Sequence, residues 1–264
     1  MDHWSDCQKG VAATFSAHRQ LSSVQALPIN TPALNFRNDP SRDRVVWDML
    51  LRPLLIALLL PCSVLAGEVS LFNGKDFTGW TTVDGKAPTV GWVVEDGVLH
   101  RPSKGGDLFS DKEYGDFTLI WEWKIGKAGN SGLKYRVQTY PGKGPLGLEY
   151  QMLDDVNHPD AKNGTKHQSA ALYDFFPAAA DKKLNPVGEW NTSKLVQKGT
   201  HLEHWLNGAK VLELDTASDA FKTALAASKF KNVTGFSANP KGRLMIQDHG
   251  DEVWIRKMVI TTED

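Results

Sequence analysis

Apolar and polar residues alternate along most of the chain from residue 67 onwards, in short runs separated by turn residues. The run 117–124 places Phe117, Leu119, Trp121 and Trp123 on one face and mainly polar side chains on the other. An alternation with a period of two residues is typical of a strand with one buried face. We therefore expect many short β-strands rather than helices.

Two pairs of strands are joined by dipeptides that favour tight hairpin turns. Asp96-Gly97 lies between apolar runs at 92–95 and 98–100, and Asn207-Gly208 lies between runs at 202–206 and 210–214. Both dipeptides tolerate the positive φ angles of a type I′ turn. The chain therefore contains two β-hairpins in this interpretation.

The segment 217–230 is the one run with helical character, with Ser218 or Asp219 as its N-cap. Strands at this spacing, with turns between them, predict an all-β sandwich or jelly roll with one short helix. An immunoglobulin-like sandwich is the alternative, but the chain is long for that fold. The sequence shows no internal repeat of the kind that a propeller would require.

Residues 49–66, MLLRPLLIALLLPCSVLA, have the three parts of a signal peptide. Arg52 precedes an unbroken apolar run at 54–60, and Val64-Leu65-Ala66 forms a small-residue cleavage pattern before Gly67. The apolar run is short for a membrane span. We expect cleavage before Gly67, a start at Met49, and a disordered or mis-assigned extension at 1–48. The segment 67–264 is then a single exported jelly-roll domain.

The composition of residues 67–264 limits the classes of partner. This segment has 24 Lys and Arg against 26 Asp and Glu, so its charge is near neutral and argues against nucleic acid or an anionic membrane surface as a partner. Both cysteines, Cys7 and Cys62, lie before residue 67. A domain of this size without disulfides fits a bacterial periplasm or a secreted location. The sequence makes no prediction about an oligomer.

The run 147–155 carries the strongest chemical signal. Glu149 and Gln151 share one face of the predicted strand, which is followed by Asp154 and Asp155. Glu149 is our first candidate for a general base or acid. The two aspartates are more typical of a turn, although they could join a calcium site. No further oxygen ligands are suitably spaced, so we predict no metal and no cofactor.

The run 130–137 has a similar polar face, which carries Lys134 and Arg136 opposite three apolar residues. Two such strands side by side would form a surface for a ligand rich in hydroxyl or carbonyl groups. Arg136 and Gln151 are candidate donors to such a ligand. The alternative is a structural ion pair between Glu149 and one of the two basic residues.

Six of the eight histidines follow residue 67, and none has the spacing of an HExxH metal motif. His204 alternates with two leucines, so we expect it to be buried with its hydrogen bonds satisfied. His249 stands beside Gln247 and is a better candidate for a residue in a cleft. His158 and His167 lie in a loop at 157–168 that is long enough to cover a site.

The segment 71–80, LFNGKDFTGW, resembles the opening motif of the DUF1080 family, the 3-keto-disaccharide hydrolase domain. Further segments follow in the family's order: Asp96-Gly97, GNSG at 129–132, GLEYQ at 147–151, AALY at 170–173, GEWN at 188–191, HWLNG at 204–208 and GRLMIQDHG at 242–250. The resemblance spans residues 69–262. The closing block departs from the usual Ile-Gly-Leu-Gln, but it retains Gln247.

The resemblance implies a concanavalin A-like jelly-roll β-sandwich and an exported enzyme that cleaves 3-keto-glycosides. The 3-keto group makes the C2 proton acidic, so a base can form an enolate that expels the C1 substituent, and water then adds. The candidate catalytic residues are Glu149 and His249. The candidate substrate-binding residues are Asn130, Lys134, Arg136, Gln151, Asp154, Asp155, Tyr173, Trp190 and Gln247.

Two other functions remain open from the sequence. The same fold hosts carbohydrate-binding modules that perform no chemistry. Charged residues such as Glu149 and Arg136 favour an enzyme over a lectin, whose surface usually relies on aromatic and neutral amide groups. A structural or adhesive exported domain is the third possibility. Hydrolysis and elimination are both compatible with the predicted site.

Overall fold

The computed structural model describes residues 67–262, which form two antiparallel β-sheets and one α-helix. The strands are β1 Glu68–Ser70, β2 Trp80–Thr81, β3 Val93–Glu95, β4 Val98–Arg101, β5 Leu108–Tyr114, β6 Phe117–Ile125, β7 Asn130–Tyr140, β8 Gly144–Leu153, β9 Asn191–Lys198, β10 His201–Leu206, β11 Ala209–Asp215, β12 Gly242–Ile246 and β13 Val253–Thr262. The helix is α1 Asp219–Ala227, and 3₁₀ turns occupy Pro159–Asn163 and Thr165–His167. Within this range no helix is long and apolar enough to cross a membrane.

The larger sheet has the strand order β11-β10-β9-β6-β13-β4-β3, and β1 also pairs with β13. The smaller sheet has the order β2-β5-β12-β7-β8. Every pairing within the two sheets is antiparallel. The prediction of an all-β sandwich with one short helix is confirmed.

The apolar side chains that alternate along the strands of the large sheet form part of the hydrophobic core, as predicted. In β6 every second side chain is buried, from Phe117 to Ile125. Trp121 packs edge-on against Tyr150 of the smaller sheet, with ring centroids 4.9 Å apart. His204 is fully buried between the sheets, where Tyr135 Oη lies 3.0 Å from its Nε2 and Ala170 O lies 3.0 Å from its Nδ1. The expected satisfied histidine is confirmed.

Both predicted hairpins form, because their turn residues adopt the left-handed conformations that a tight turn needs. Asp96 and Gly97 have φ angles of 52° and 76°, and Asn207 and Gly208 have 47° and 85°. The first turn joins β3 to β4 and the second joins β10 to β11.

Helix α1 is shorter than the predicted 217–230. Ser218 caps its first turn by accepting a hydrogen bond from the Phe221 amide, and Ser228 ends it in an extended conformation with ψ 171°. Strand β5 was not predicted, because only its first three residues are buried and a polar run follows them. The predicted extension at 1–48 and signal peptide at 49–66 lie outside the described residues.

Candidate active site

Strands β7 and β8 bring the predicted polar side chains together on one face of the smaller sheet. Their register places Lys134 opposite Glu149 and Gly132 opposite Gln151. Lys134 Nζ lies 3.6 Å from Glu149 Oε2, and the two side chains are 13% and 6% exposed. Gly132 leaves room for the carboxylate, since a Cβ there would lie 2.5 Å from Glu149 Oε1. The pair is therefore a nearly buried ion pair rather than a solvated surface pair.

Gln247, which directly follows β12, completes this arrangement. Its backbone N–H donates to Gly132 O over 2.9 Å, which continues the pairing of β12 with β7. The side-chain amide of Gln247 satisfies both Glu149 and Lys134 in one of its two orientations. In that orientation its nitrogen donates to Glu149 Oε1 (3.2 Å) and its oxygen accepts from Lys134 Nζ (3.3 Å). The amide therefore fixes the orientation of the Glu149 carboxylate.

A small polar cavity of about 40 Å³ opens beside the Glu149 carboxylate. Its lining residues are Asn130, Glu149, Gln151, Tyr173, Lys229, Gln247 and His249. All of these except Lys229 were candidate residues from the sequence. The volume is close to the space that one water molecule occupies in the liquid, roughly 30 Å³, so this cavity can take one edge of a ligand.

A second cavity, of about 320 Å³, shares His249 with the first and is lined otherwise by Lys104, Asp248 and Gly250.

Two buried oxygens of the polar cavity have no hydrogen-bond partner among residues 67–262. Asn130 Oδ1 and Gln151 Oε1 are unpaired, although the residues are only 3% and 1% exposed. The Gln151 amide nitrogen is engaged by His167 O at 3.4 Å. Buried polar groups nearly always have partners, and an unpaired acceptor costs about 1–3 kcal/mol. A ligand that supplies hydroxyl donors would satisfy both oxygens.

Tyr173 forms one wall of the cavity and is held by the covering loop. Its hydroxyl donates to Asp160 Oδ2 over 2.9 Å, and Asp160 Oδ1 lies 2.9 Å from His167 Nδ1. Burial and the nearby carboxylates of Asp160 and Glu149 raise the pKa of the Tyr173 phenol. Burial alone would raise the pKa of Asp160, but hydrogen bonds from Asn163, Tyr173 and His167 lower it below its usual value. Tyr173 therefore stays neutral beside an ionised Asp160.

The loop that carries Gln247 and His249 is anchored by a buried carboxylate. Asp248 accepts hydrogen bonds from the amides of Gly105 (2.7 Å) and Gly106 (2.6 Å) and lies 2.5 Å from Arg101 Nε. Burial acts to raise the pKa of Asp248, but the backbone amides and Arg101 outweigh it and lower the pKa. Arg101 also donates to Asp251 O. The anchoring fixes the backbone on both sides of His249.

Asp107 is a further carboxylic acid close to this loop. Its Oδ1 accepts the Asp248 amide hydrogen over 2.8 Å, and burial raises its pKa, although Lys134 and His249 act in the opposite direction. A carboxyl group with a raised pKa can hold a proton at higher pH than usual.

One group of potential metal ligands adjoins the cavity among the described residues. Ligand atoms of His158, His249 and Asp251 lie within 4.8 Å of one another. Two imidazoles and one carboxylate suit a transition metal better than calcium, which prefers oxygen. His158 Nδ1 already accepts a hydrogen bond from the Asp160 amide, which opposes the usual arrangement of a metal-bound histidine. The absence of a cofactor thus stays a prediction.

The structure corrects the placement of Arg136. Its backbone has a φ of 52° inside a β-bulge, where the register with β8 shifts between Tyr135 and Gln138. The bulge breaks the alternation, so the guanidinium leaves the Lys134 face. It donates instead to Gln197 Oε1 (2.9 Å) and Gly199 O (2.7 Å), in the large sheet and the turn after β9. The expectation that Arg136 shares the polar face of Lys134 is wrong.

Asp154 and Asp155 also lie outside the polar cavity. Asp154 accepts hydrogen bonds from the amides of Ala128, Val156 and Asn157, and Asp155 accepts one from Ser169 and pairs with Lys182 at 3.0 Å. Their carboxylates shape turns, which is the role that the sequence favoured for them over substrate binding. These engaged oxygens do not favour a calcium site.

Trp190 lies away from the polar cavity, among residues of the large sheet. The Arg256 guanidinium carbon lies 3.9 Å from its ring centroid, and Lys124 Nζ lies 5.2 Å away. Its ring therefore packs against cations rather than against the cavity.

A larger cavity among the described residues, of about 500 Å³, is lined in part by Asp154 and Asp155 and does not include Glu149. Its walls are mainly apolar, and Val156 and Val187 at its rim are exposed. The acids that line it already have partners, whereas the smaller cavity holds unpaired acceptors. We therefore take the smaller cavity as the candidate active site.

Sequence reasoning missed Lys229, Arg101 and Asp107. Lys229 reaches the cavity from the segment after α1, and it is separated from Glu149 by 80 positions in the chain. No periodic pattern links such distant segments.

The fold and the cavity together define a class: a β-sandwich protein with a polar ligand pocket on its smaller sheet. The model of the 3-keto-alpha-glucoside-1,2-lyase-like domain matches residues 67–261, and the chain belongs to this family. The predicted resemblance is thereby confirmed.

Named relatives agree with this assignment. A 3-keto-disaccharide hydrolase of Bacteroides thetaiotaomicron is 35% identical, with 75% of this chain and 79% of the relative covered. A structure from Parabacteroides distasonis, provisionally described as a glycosyl hydrolase, is 37% identical with a TM-score of 0.69, covering 75% of this chain and 94% of that one. A second structure from the same organism, described in the same way, is 26% identical with a TM-score of 0.61 and covers 74% and 99%.

Proposed function

We propose that the chain is an exported carbohydrate-active enzyme that cleaves the glycosidic bond of 3-keto-glycosides. The observation that carries the proposal is the nearly buried Glu149 carboxylate, oriented by Gln247 beside the unpaired oxygens of Asn130 and Gln151. Family membership and the name of the B. thetaiotaomicron relative support the substrate class.

The reaction begins with transfer of the C2 proton to Glu149, and the electrons of the C2–H bond form an enolate across C2, C3 and the former keto oxygen. When the C3 carbonyl re-forms, the electrons make a C1=C2 double bond and the C1–O bond breaks. The leaving oxygen takes a proton, and addition of water across C1=C2 completes a net hydrolysis. The keto group activates the C2 proton itself, so the sequence of steps needs no redox cofactor.

The pocket residues fit this chemistry in distinct roles. Glu149 is the base, and the acceptor oxygens of Asn130 and Gln151 bind sugar hydroxyls. Tyr173, whose hydroxyl donates its proton to Asp160, can accept a hydrogen bond from a sugar hydroxyl at the cavity wall. His249 lies between the small cavity and the larger one, where it can reach the leaving group.

The test compares a 3-keto-disaccharide with its unoxidised parent sugar. We expect turnover of the oxidised sugar only, because the parent lacks an acidic C2 proton. Inertness of the purified protein toward both sugars would refute the proposal. Addition of a chelator to the same assay tests the predicted independence from metal.

The variant Glu149→Gln should lower kcat by about 10²–10⁴-fold, since it removes the base and keeps the shape. Glu122→Gln is the matched control, because Glu122 lies on the large sheet, paired with Arg256 and Lys257. Wild-type turnover by Glu149→Gln would remove Glu149 from the mechanism. Sugar binding measured by calorimetry, without turnover by any variant, would instead indicate a binding module.

Export is a separate part of the proposal and rests on the signal pattern at 49–66. N-terminal sequencing of the protein recovered from the periplasm or medium should find Gly67 as the first residue. A recovered product that begins within 1–48 would contradict both the cleavage site and the start at Met49.

A further inference from the structure

Lys229 is a residue of the polar cavity to which the sequence assigned no role. It lines the cavity together with Glu149 and Tyr173. Its ammonium nitrogen lies 4.3 Å from the centroid of the Tyr173 ring. Within residues 67–262 this ammonium has no carboxylate oxygen within 4.0 Å, whereas Lys134 is already engaged by Glu149 and Gln247. Lys229 is therefore the cavity's cation that is available for a ligand.

The backbone around Lys229 is fixed on both sides. The Lys229 amide donates to Asp174 Oδ2 over 2.8 Å, and Asp174 also binds Lys166 Nζ. The next residue, Phe230, is buried in an aromatic stack, with its ring centroid 4.2 Å from that of Phe236. The backbone position from which the Lys229 side chain reaches the cavity is thus fixed by the fold.

We propose that Lys229 is a further catalytic residue, whose protonated amine binds the 3-keto oxygen of the substrate and stabilises the negative charge that this oxygen gains in the enolate. The inference rests on the proposed function and adds a role to it. Glu149 accepts the proton from C2 and Lys229 binds the oxygen on C3, so the two residues act at neighbouring carbon positions of the sugar.

The electrostatic surroundings agree with this role. Loss of hydration lowers the pKa of Lys229 even though the residue as a whole is exposed, and Glu149 opposes this effect. A partly dehydrated ammonium interacts more strongly with a developing oxyanion than a fully hydrated one. The negative charge of an enolate would therefore be bound better than the neutral keto group.

The test uses Lys229→Met, which removes the charge, and Lys229→Arg, which keeps it. Lys231→Met, at an exposed position two residues further on, is the matched control. Two quantities are measured: kcat and KM on a 3-keto-disaccharide, and exchange of the C2 proton of 3-keto-glucose in D₂O by NMR. Exchange reports enolate formation without bond cleavage.

We expect Lys229→Met to lower kcat and the exchange rate together, by about 10²–10³-fold, with a smaller change in KM. Lys229→Arg should retain more activity than Lys229→Met, and Lys231→Met should match the wild type. Should Lys229→Met fail to fold, Lys229→Gln takes its place in the same comparison.

Wild-type kcat and exchange in the uncharged variant would overturn the role of Lys229 while leaving the proposed function intact. A rise in KM with unchanged kcat would also overturn it, because it would show binding of the ground state alone. Failure of the proposed function itself would be visible separately, as inertness of the wild-type protein toward every 3-keto sugar.

Discussion

At the scale of single residues, the candidate site depends on the free volume beside the Glu149 carboxylate as well as on the charges around it. Glu149 and Lys134 face each other across β8 and β7, and the carboxylate fills the volume above Gly132. A side chain at 132 would displace the group that we propose as the base. The absence of a Cβ at this position is therefore part of the proposed catalytic arrangement.

We predict that Gly132→Ala lowers kcat/KM on a 3-keto-disaccharide by at least about tenfold while the protein stays folded. The new Cβ would lie 2.5 Å from Glu149 Oε1 and 3.0 Å from its Cδ, and a flexible side chain can move away from such a contact. A reacting atom misplaced by about 1 Å can cost about 10²-fold in rate. Kinetics and thermal unfolding of the same preparation check this.

Two other glycines serve as controls for Gly132→Ala. Gly115→Ala should leave both kcat/KM and thermal stability unchanged, since nothing lies within 4 Å of its Cβ position. Gly147→Ala should destabilise the fold, because its Cβ would lie 2.5 Å from Tyr135 O, which is backbone and cannot move aside. Wild-type activity in Gly132→Ala would contradict the proposed crowding of Glu149.

At the scale of elements, the alternation of residues predicted most strands and failed at a bulge. Strand β6 and both hairpins follow from a period of two and from Asp-Gly or Asn-Gly turns. The same period placed Arg136 with Lys134, but the bulge after Tyr135 turns Arg136 toward the large sheet. A bulge depends on neighbouring strands, here on Gly242 of β12, whose Cβ would lie 2.6 Å from the Arg136 carbonyl carbon.

The bulge gives Arg136 a structural role, which is open to test. Arg136→Met should lower the free energy of unfolding by roughly 2–4 kcal/mol, because it leaves Gln197 Oε1 and Gly199 O without their donor. KM for the 3-keto sugar should change less than about twofold. Urea unfolding and kinetics measure the two effects. Arg256→Met, which removes a partly exposed ion pair with Glu122, should cost less than about 1 kcal/mol.

A large rise in KM for Arg136→Met, without loss of stability, would restore Arg136 as a residue that binds substrate.

The way in which the rest of the site assembles could not be predicted from the sequence for a related reason. Glu149, Gln247 and Lys229 come from three distant segments, and only the strand order β12-β7-β8 and the covering loops bring them together. Local patterns predicted the chemical character of the segments that carry Glu149 and Gln247, but they predicted neither the role of Lys229 nor this contact.

At the scale of the whole molecule, the core between the sheets contains a polar cluster. His204 joins the buried hydroxyl of Tyr135 and the carbonyl of Ala170, and its ring lies 4.7 Å from that of Tyr150. Burial lowers the pKa of His204 to about 4, although the bond with the Ala170 carbonyl acts in the opposite direction. The neutral imidazole donates from Nδ1 and accepts at Nε2, so a second proton would leave Tyr135 without its acceptor.

The lowered pKa of His204 predicts that the fold loses stability in mild acid. In the unfolded chain a histidine has a pKa of about 6.5, so between pH 6.5 and 4 the unfolded state binds more protons than the folded state. Stability therefore falls as the pH drops through this window, by at most about 1.4 kcal/mol per pH unit and about 3 kcal/mol in total. Protonation of carboxylates with lowered pKa values, such as Asp154 and Asp248, reduces the free energy of unfolding further only below about pH 4.

The comparison of wild type with His204→Gln isolates this contribution. The variant should be less stable at pH 7, since it loses two buried hydrogen bonds, but its stability should decline less between pH 7 and pH 5. Urea unfolding at the two pH values measures both effects, and the contributions of the other histidines cancel in the comparison. An equal decline in the two proteins would show that His204 is not the buried group whose protonation opens the sandwich.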